Sequence, residues 1–166
     1  MQVKIIGAGL AGCEAALWLA DRGVQVELYE QKPAKYSPAH KSAGFAELIC
    51  SNSLKAERPD SASGLLKIEM KMMGSHLLDA AETARVAAGG ALAVDRDVFS
   101  TAVTEMVENH PTITVRREEV TALDESAPVP VATRHVPHGA LAPAAAPLTG
   151  AHRRPFYTPL APTLTH

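Results

Sequence analysis

The sequence predicts an α/β fold built around a parallel β-sheet, and the first thirty residues carry that prediction. Residues 3–6 form a short apolar run, and a glycine-rich turn follows at residues 7–12. An Ala- and Leu-rich helical segment then continues to residue 22 and ends before Gly23, which suits a helix C-terminus. Residues 24–29 alternate apolar and polar side chains as a second strand. Two strands joined through a helix in this way must be parallel.

Composition limits the class of protein. The chain has 166 residues, 46% hydrophobic and 20% charged, which fits one compact domain. Sixteen Lys and Arg against eighteen Asp and Glu give a net charge of -2, which argues against a small, strongly basic nucleic-acid-binding module. Two cysteines form no disulfide framework, and no apolar run reaches the roughly 18 residues of a membrane span. We therefore expect no signal peptide, no membrane association and a cytoplasmic location.

The middle of the chain predicts a long loop and then a long helix. Residues 31–60 keep no regular period and contain several prolines, which predicts a loop with one short helix at 45–49. Residues 61–85 predict one helix, because apolar side chains recur at spacings of three and four. That buried stripe consists of Leu66, Met70, Met73, Leu77, Ala80 and Ala84. We expect Met70, Met72 and Met73 to pack in the core rather than to form a binding surface.

Further along, a strand, a helix and another strand are predicted. Residues 91–94 form the strand, and Asp95 is placed to cap the helix that follows. The buried stripe of that helix is predicted to be Phe99, Val103, Met106 and Val107. Alternation at residues 113–115 predicts the next strand, and residues 120–123 are compatible with one more.

The composition changes after residue 123. Residues 124–166 contain eight of the twelve prolines and show no sustained period. We therefore divide the chain into a cofactor-binding domain at 1–123 and a Pro- and Ala-rich tail at 124–166, divergent or disordered. Three histidines of this tail, His135, His138 and His152, have no Cys or carboxylate at ligand spacing, so we predict no metal site.

The glycine-rich turn is the strongest local motif. Its residues are Gly7, Ala8, Gly9, Leu10, Ala11 and Gly12, a G-x-G-x-x-G between a strand and a helix. The first glycine permits the tight turn, the second lets a pyrophosphate approach the backbone, and the third lets helix and strand pack closely. Glu30 ends the second strand, where an acidic side chain binds the ribose of a dinucleotide. The motif therefore predicts dinucleotide binding at Gly7–Gly12 and Glu30.

The choice between a flavin and a nicotinamide dinucleotide rests on weaker features. The motif lies at the very start of the chain, position 30 is Glu rather than Asp, and Glu14 opens a Glu-Ala-Ala stretch of the helix. These features favour FAD. We interpret Glu14 itself as a solvated acid that interacts with the helix dipole rather than as a ligand of the cofactor.

Five blocks of sequence resemble one family of tRNA-modifying flavoproteins. They are IGAGLAGCEAA at 6–16, LYEQKP at 28–33, PAH at 38–40, FAELICSNSL at 45–54 and AGGALAVDR at 88–96. Together they resemble the folate- and FAD-dependent tRNA (uracil-5-)-methyltransferase family, TrmFO, almost continuously from residue 3 to about residue 123. The related GidA (MnmG) family, which modifies the wobble uridine of tRNA, shares the Gly-Cys-Glu-Ala-Ala stretch at 12–16 but not the blocks at 45–54 and 88–96, and it is the nearest alternative.

The resemblance implies a flavoenzyme that methylates carbon-5 of a T-loop uridine in tRNA. The one-carbon unit would come from 5,10-methylenetetrahydrofolate, and electrons would come from NAD(P)H through FAD. The resemblance also implies a Rossmann-like FAD/NAD(P)-binding fold that is incomplete at the C-terminal end, because family chains continue into a second region. A non-catalytic dinucleotide-binding module is the alternative from another functional class.

The resemblance associates Cys50 with the flavin and with catalysis. From the residues alone, a buried structural cysteine is the more common outcome for this position. Cys13, on the first helix, is expected to serve packing.

The tail departs from the family pattern. Arg134 stands where the resemblance expects the glycine of an Ala-Thr-Gly-Pro turn. Either an error in the gene end or a genuine divergent tail would produce this difference.

Overall fold

A parallel sheet and a small antiparallel sheet organise the chain in a computed structural model that describes residues 2–123, 129–133 and 141. The strands are β1 (Gln2–Ile6), β2 (Gln25–Tyr29), β3 (Ser53–Ala56), β4 (Arg85–Val86), β5 (Ala91–Val94) and β6 (Ile113–Arg116). The helices are α1 (Leu10–Ala20), α2 (Ala62–Met72), α3 (His76–Thr83) and α4 (Arg96–Glu108). The rest of the predicted tail, including its three internal histidines, lies outside the described residues.

The parallel sheet has the order β1-β2-β6, so β2 lies between strands from both ends of the described domain. Val3 pairs with Val26, and Val26 pairs with Ile113. On its other side β1 meets the segment 129–133, where Ile6 and Val131 form a parallel bridge. The Ile6 N–H donates to the Pro130 carbonyl, and the Ala132 N–H donates to the Ile6 carbonyl. The predicted Rossmann-like α/β fold is confirmed, and the boundary predicted at residue 123 stays a prediction.

The smaller sheet shows where the prediction for residues 31–60 was wrong. Its order is β3-β5-β4, with antiparallel pairs, and β3 arises inside the predicted loop. The predicted helix at 45–49 is absent from this described stretch, which forms bends instead. The reason is local: Ala46 has a φ of 49°, outside the helical region, and its N–H donates to the Ala8 carbonyl rather than to a helical partner.

The predicted helix at 61–85 is two helices. Gly74, with φ 78°, ends the first, and the Ser75 side chain caps the second by accepting from the Leu78 N–H. Because the direction changes at Gly74, the predicted stripe does not share one buried face. Leu77, Ala80 and Ala84 are buried as predicted, whereas Leu66, Met72 and Met73 are exposed, so the core placement of the last two methionines was wrong.

The other predictions of elements agree more closely with the structure. The strand at 91–94 and the cap at Asp95 are confirmed, because the Asp95 carboxylate accepts from two backbone N–H groups of the first turn of α4. Phe99, Val103 and Val107 are fully buried in that helix, and Met106 is partly buried. Residues 120–123, whose sequence was compatible with one more strand, do not form one. α1 and α4 pack against the parallel sheet, and α3 packs against both of these helices and against β5, with their apolar side chains in one core.

Glu14 connects two helices. Its carboxylate accepts hydrogen bonds from the Ser75 hydroxyl (2.8 Å), the His76 N–H (3.0 Å) and the Leu77 N–H (3.1 Å). The interpretation of Glu14 as a solvated acid was therefore wrong, because the N-terminus of α3 brings otherwise unpaired donors to the side of α1. A carboxylate at this position also faces the favourable end of the helix dipole.

Replacing Glu14 by alanine is expected to lower the free energy of unfolding by about 1–3 kcal/mol, because three partly buried donors lose a charged acceptor. Urea denaturation of Glu14→Ala measures the loss. Glu105→Gln, on the exposed side of α4, is the control and is expected to change stability little. An equal loss in both variants would contradict the capping role.

Candidate dinucleotide site

The glycine turn has the geometry that its sequence predicts. Gly7 adopts a φ of 101°, which strains any residue with a side chain. A Cβ on Gly12 would lie 1.8 Å from the Gly7 carbonyl oxygen, so only glycine allows α1 to start this close to the turn. Among the residues that the structure describes, nothing lies within 4 Å of a Cβ built on Gly9. The turn therefore leaves open space beside the glycine that was predicted to face a pyrophosphate.

The N-terminus of α1 faces the same space. Gly9 is the N-cap residue, and among the described residues no side chain caps the helix there. The first helical bond runs from the Cys13 N–H to the Gly9 carbonyl, and Gly9, Leu10 and Ala11 are exposed. The exposed amides and the positive end of the helix dipole make this a suitable position for an anion such as phosphate.

Glu30 is hydrogen-bonded to the glycine turn through its carboxylate. It is 8% exposed, and its carboxylate accepts from the Ala8 N–H and from the Lys32 N–H, both at 3.0 Å. The structure thus brings together the seven residues predicted for the cofactor, from Gly7 to Gly12 and Glu30. Their contact with a cofactor stays a prediction.

A threonine that sequence reasoning did not assign to the site lies at the same turn. A Cβ on Gly7 would be 3.1 Å from the Ala132 carbonyl oxygen and 3.2 Å from the Thr133 nitrogen. The Thr133 hydroxyl is buried, and it has no hydrogen-bond partner in the part of the chain that the structure describes. A buried hydroxyl without a partner is costly, so a ligand oxygen at this turn would satisfy it. The only indication in the sequence was the match of residues 131–133 to the resembled family's register.

Lys32 connects Glu30 to the loop that follows. The Lys32 side chain is 4% exposed, and its ammonium donates to the Gly44 carbonyl at 2.7 Å and pairs with Glu47 at 3.5 Å. Two residues further, the Ala46 N–H donates to the Ala8 carbonyl at 2.9 Å. The bonds close a ring from Ala8 through Glu30 and Lys32 to this loop and back to Ala8.

The loop segment 42–47 is held from its other side by α4. The Ser100 hydroxyl donates to the Phe45 carbonyl at 2.6 Å, and the Thr104 hydroxyl accepts from the Phe45 N–H at 2.9 Å. The Phe45 ring is fully buried, and the Arg117 guanidinium lies 4.1 Å from its centre. This segment is therefore fixed in place, although it contains no helix or strand.

The two cysteines lie in different environments. Cys13 is fully buried, its thiol donates to the Ala8 carbonyl, and burial raises its pKa to about 12. This fits the packing role expected for Cys13, because a thiol with so high a pKa is a poor nucleophile. Cys50 is exposed in a bend between the 42–47 segment and β3. A structural cysteine buried at position 50 is therefore excluded, and its catalytic role stays a prediction.

Glu47 makes the 42–47 segment sensitive to acid. Burial raises the pKa of its carboxyl, but hydrogen bonds from the Lys41 and Ser42 N–H groups and the charge of Lys32 outweigh burial and lower the pKa below its usual value. The carboxylate therefore stabilises the fold above the usual pKa of glutamate, and that contribution is lost as the pH falls through the lowered pKa.

We expect Glu47→Gln to reduce the acid sensitivity of the protein. The urea midpoint of the wild type should fall further between pH 6 and pH 3 than that of the variant, because the amide cannot be protonated in this range. A difference between the two proteins that stays constant with pH would contradict this expectation. Glu105→Gln again serves as the control.

Comparison with known proteins places the chain in a family. The family profile described as "Glucose inhibited division protein A" matches residues 2–138. The chain belongs to the glucose inhibited division protein A (GidA) family. The match includes the glycine turn, Glu30, the 42–47 segment, Cys50 and Thr133.

Within the GidA family, the chain is about half identical to proteins named methylenetetrahydrofolate-tRNA-(uracil-5-)-methyltransferase TrmFO. The one from Geobacter sulfurreducens is 51% identical over 96% of this chain, and the one from Desulforamulus reducens is 49% identical over 99%. The chain spans 37% of the length of either relative.

A solved structure supports the fold. Aquifex aeolicus GidA is 18% identical, with a TM-score of 0.59 over 74% of this chain and 20% of that chain. At this identity the likeness shows the fold alone. Within the residues that the structure describes, no helix combines the length and apolar character needed to span a bilayer, and no group of three metal-ligating side chains occurs.

Proposed function

We propose that this chain is the FAD-binding part of a GidA-family enzyme that methylates carbon-5 of a uridine in the T-loop of tRNA, with 5,10-methylenetetrahydrofolate as the one-carbon donor. The identity of about one half to proteins named for this reaction supports the choice of substrate. The open space beside Gly9, at the exposed N-terminus of α1, is the structural observation that carries the proposal.

The residues at the turn fit an FAD. The amides at the start of α1 would bind the pyrophosphate, and Glu30 would accept hydrogen bonds from the adenosine ribose. The Thr133 hydroxyl would gain the partner that it lacks among the described residues. A bound FAD, once reduced by NAD(P)H, would supply the two electrons that convert a one-carbon unit at the methylene level into a methyl group.

Cys50 is proposed to act beside the flavin ring. Carbon-5 of uracil is a poor nucleophile, so the reaction needs a group that activates the pyrimidine or holds the one-carbon unit. A thiol serves in either role, and an exposed one meets the requirement of access. The hydrogen bonds that run through Lys32 and the contacts with α4 fix the 42–47 segment, which leads to Cys50. The thiol therefore has a defined starting position.

The remaining parts of the proposal concern substrates outside the described site. NAD(P)H is proposed as the reductant, tRNA as the macromolecular substrate, and the cytoplasm as the location. The charge of -2 supplies no general attraction to tRNA, so the tRNA surface is expected to lie mainly in the part of the relatives that this chain does not match.

A chimera tests the proposed function. In it, this chain replaces the matching 37% of the Geobacter sulfurreducens relative, so that the unmatched regions of the relative are present. We expect the purified chimera to contain flavin and to transfer a methyl group from 5,10-methylenetetrahydrofolate to the T-loop uridine of unmodified tRNA. A folded, flavin-containing chimera that modifies a wobble uridine instead would favour the alternative activity within this family, the MnmG-type modification of the wobble uridine. A folded chimera without flavin would overturn the cofactor assignment.

A further inference from the structure

The side of α2 that faces the protein carries two buried residues that are not apolar and one partly buried methionine, Met70, which packs against the core. Its buried residues are Gly64 and Lys67. The Lys67 ammonium donates to the carbonyl oxygens of Ala56 (3.0 Å) and Ser63 (3.1 Å). A Cβ on Gly64 would lie 1.9 Å from the Arg58 carbonyl oxygen. This backbone contact and the lysine fix which side of α2 faces inward.

The opposite side of α2 carries an apolar stripe, which we define as Leu65, Ile68 and Met72 with the flanking Leu66 and Met73. The first three recur at spacings of three and four, so they share one face of the helix. In the centre of the stripe, Leu65 is 50% exposed, Ile68 38% and Met72 83%. The flanking Leu66 and Met73 are 54% and 67% exposed. An apolar face of this kind ordinarily packs against a core, and a contiguous exposed patch marks an interaction site.

Ion pairs hold the neighbouring elements in this orientation. Lys71 pairs with Glu82 of α3 at 2.6 Å, and Arg85 of β4 pairs with both Glu82 and Glu57. The bond to Arg85 lowers the pKa of the Glu57 carboxyl, so this network is charged at neutral pH. The Lys71–Glu82 pair connects α2 to this network, and rotating the stripe inward would break that pair.

We propose that the apolar stripe of α2 is the contact surface for the part of a GidA-family chain that lies outside the region matched here. The relatives are matched over 37% of their length, so a chain of that size has nearly two thirds of its residues available to cover the stripe. A surface on the same polypeptide is present at a high effective concentration. Glu69 lies within the stripe and is exposed, so the covering surface is expected to carry a basic group near its rim.

Methionine oxidation tests the proposal, because Met72 and Met73 report directly on the covering of the stripe. Hydrogen peroxide is applied to the 166-residue chain and to the chimera with the Geobacter sulfurreducens relative, and the oxidation of each methionine is followed by mass spectrometry. We expect Met72 to react on the order of 10-fold more slowly in the chimera. Equal rates in a chimera that unfolds cooperatively would overturn the proposal, whether or not that chimera methylates tRNA.

A matched pair of variants gives a second readout. Ile68 and Val98 are both exposed apolar residues on helices, at 38% and 47%. We expect Ile68→Lys to lower the melting temperature of the chimera but not that of the 166-residue chain, and Val98→Lys to lower neither. If the chimera does not fold, the relative carrying only residues 62–72 of this chain serves in its place. Dimerisation of the 166-residue chain, or its binding to phosphatidylcholine vesicles, that is abolished by Ile68→Lys would instead assign the stripe to a second copy or a membrane.

Discussion

Replacing Gly9 by valine is expected to leave the fold intact and to weaken FAD binding at least about 100-fold. Gly9 has a φ of -78°, which valine tolerates, and a Cβ there meets no atom of the described part of the chain within 4 Å. The new methyl groups would instead fill the space where the pyrophosphate must approach the amides of α1. Fluorescence titration with FAD measures the affinity, and thermal unfolding measures the fold.

Gly12→Ala is the control that separates binding from folding. Its Cβ would lie 1.8 Å from the Gly7 carbonyl oxygen, so the helix or the turn must move. We expect a loss of stability of about 3 kcal/mol or more, at the upper end of the usual cost of overpacking. Unchanged FAD affinity in a folded Gly9→Val protein would show that the pyrophosphate does not bind at this turn.

Replacing Cys50 by alanine in the chimera is expected to reduce methyl transfer at least about 100-fold, the usual order for loss of a group that takes part in the chemistry. The side chain is exposed, so its removal should leave the melting temperature and the flavin content almost unchanged. Single-turnover methylation of unmodified tRNA with a radiolabelled one-carbon donor measures the effect.

Cys13→Ala is the matched variant for Cys50→Ala. It removes the same thiol from a fully buried position with a strongly raised pKa. We expect it to cost roughly 1 kcal/mol of stability through the small cavity and to leave the rate of methyl transfer near the wild-type value. Wild-type turnover in Cys50→Ala would show that the exposed thiol takes no part in the reaction.

The start of the chain could be predicted because its structure is determined locally. The alternation of residues 24–29 and the glycine spacing at 7–12 depend on neighbours within a few residues, and the structure confirms both. Asp95 could be predicted for the same reason, because a cap and the helix that it starts are adjacent in sequence.

The errors arose where distant residues decide the structure. Ala46 avoids a helix because its N–H donates to the carbonyl of Ala8, which lies in the glycine turn, well before the predicted loop begins. Glu14 meets α3 more than sixty residues later, so its capping role has no local pattern. The exposure of the apolar side of α2 could not be predicted either, because the spacing of its apolar residues is that of a core helix. The contacts of Lys67 and Gly64 turn the other side of the helix towards the protein.

The position of β2 between β1 and β6 also constrains when the protein can fold. Its neighbours lie far apart in sequence, since Val3 and Ile113 pair with the same residue, Val26. A parallel strand pair that closes so long a loop forms late and slowly compared with local helices. During synthesis, the backbone N–H and carbonyl groups along the edge of β2 that pairs with β6 therefore stay without their partners until Arg116 has left the ribosome. That exposed edge is the point at which we expect a nascent chain of this family to need protection from aggregation.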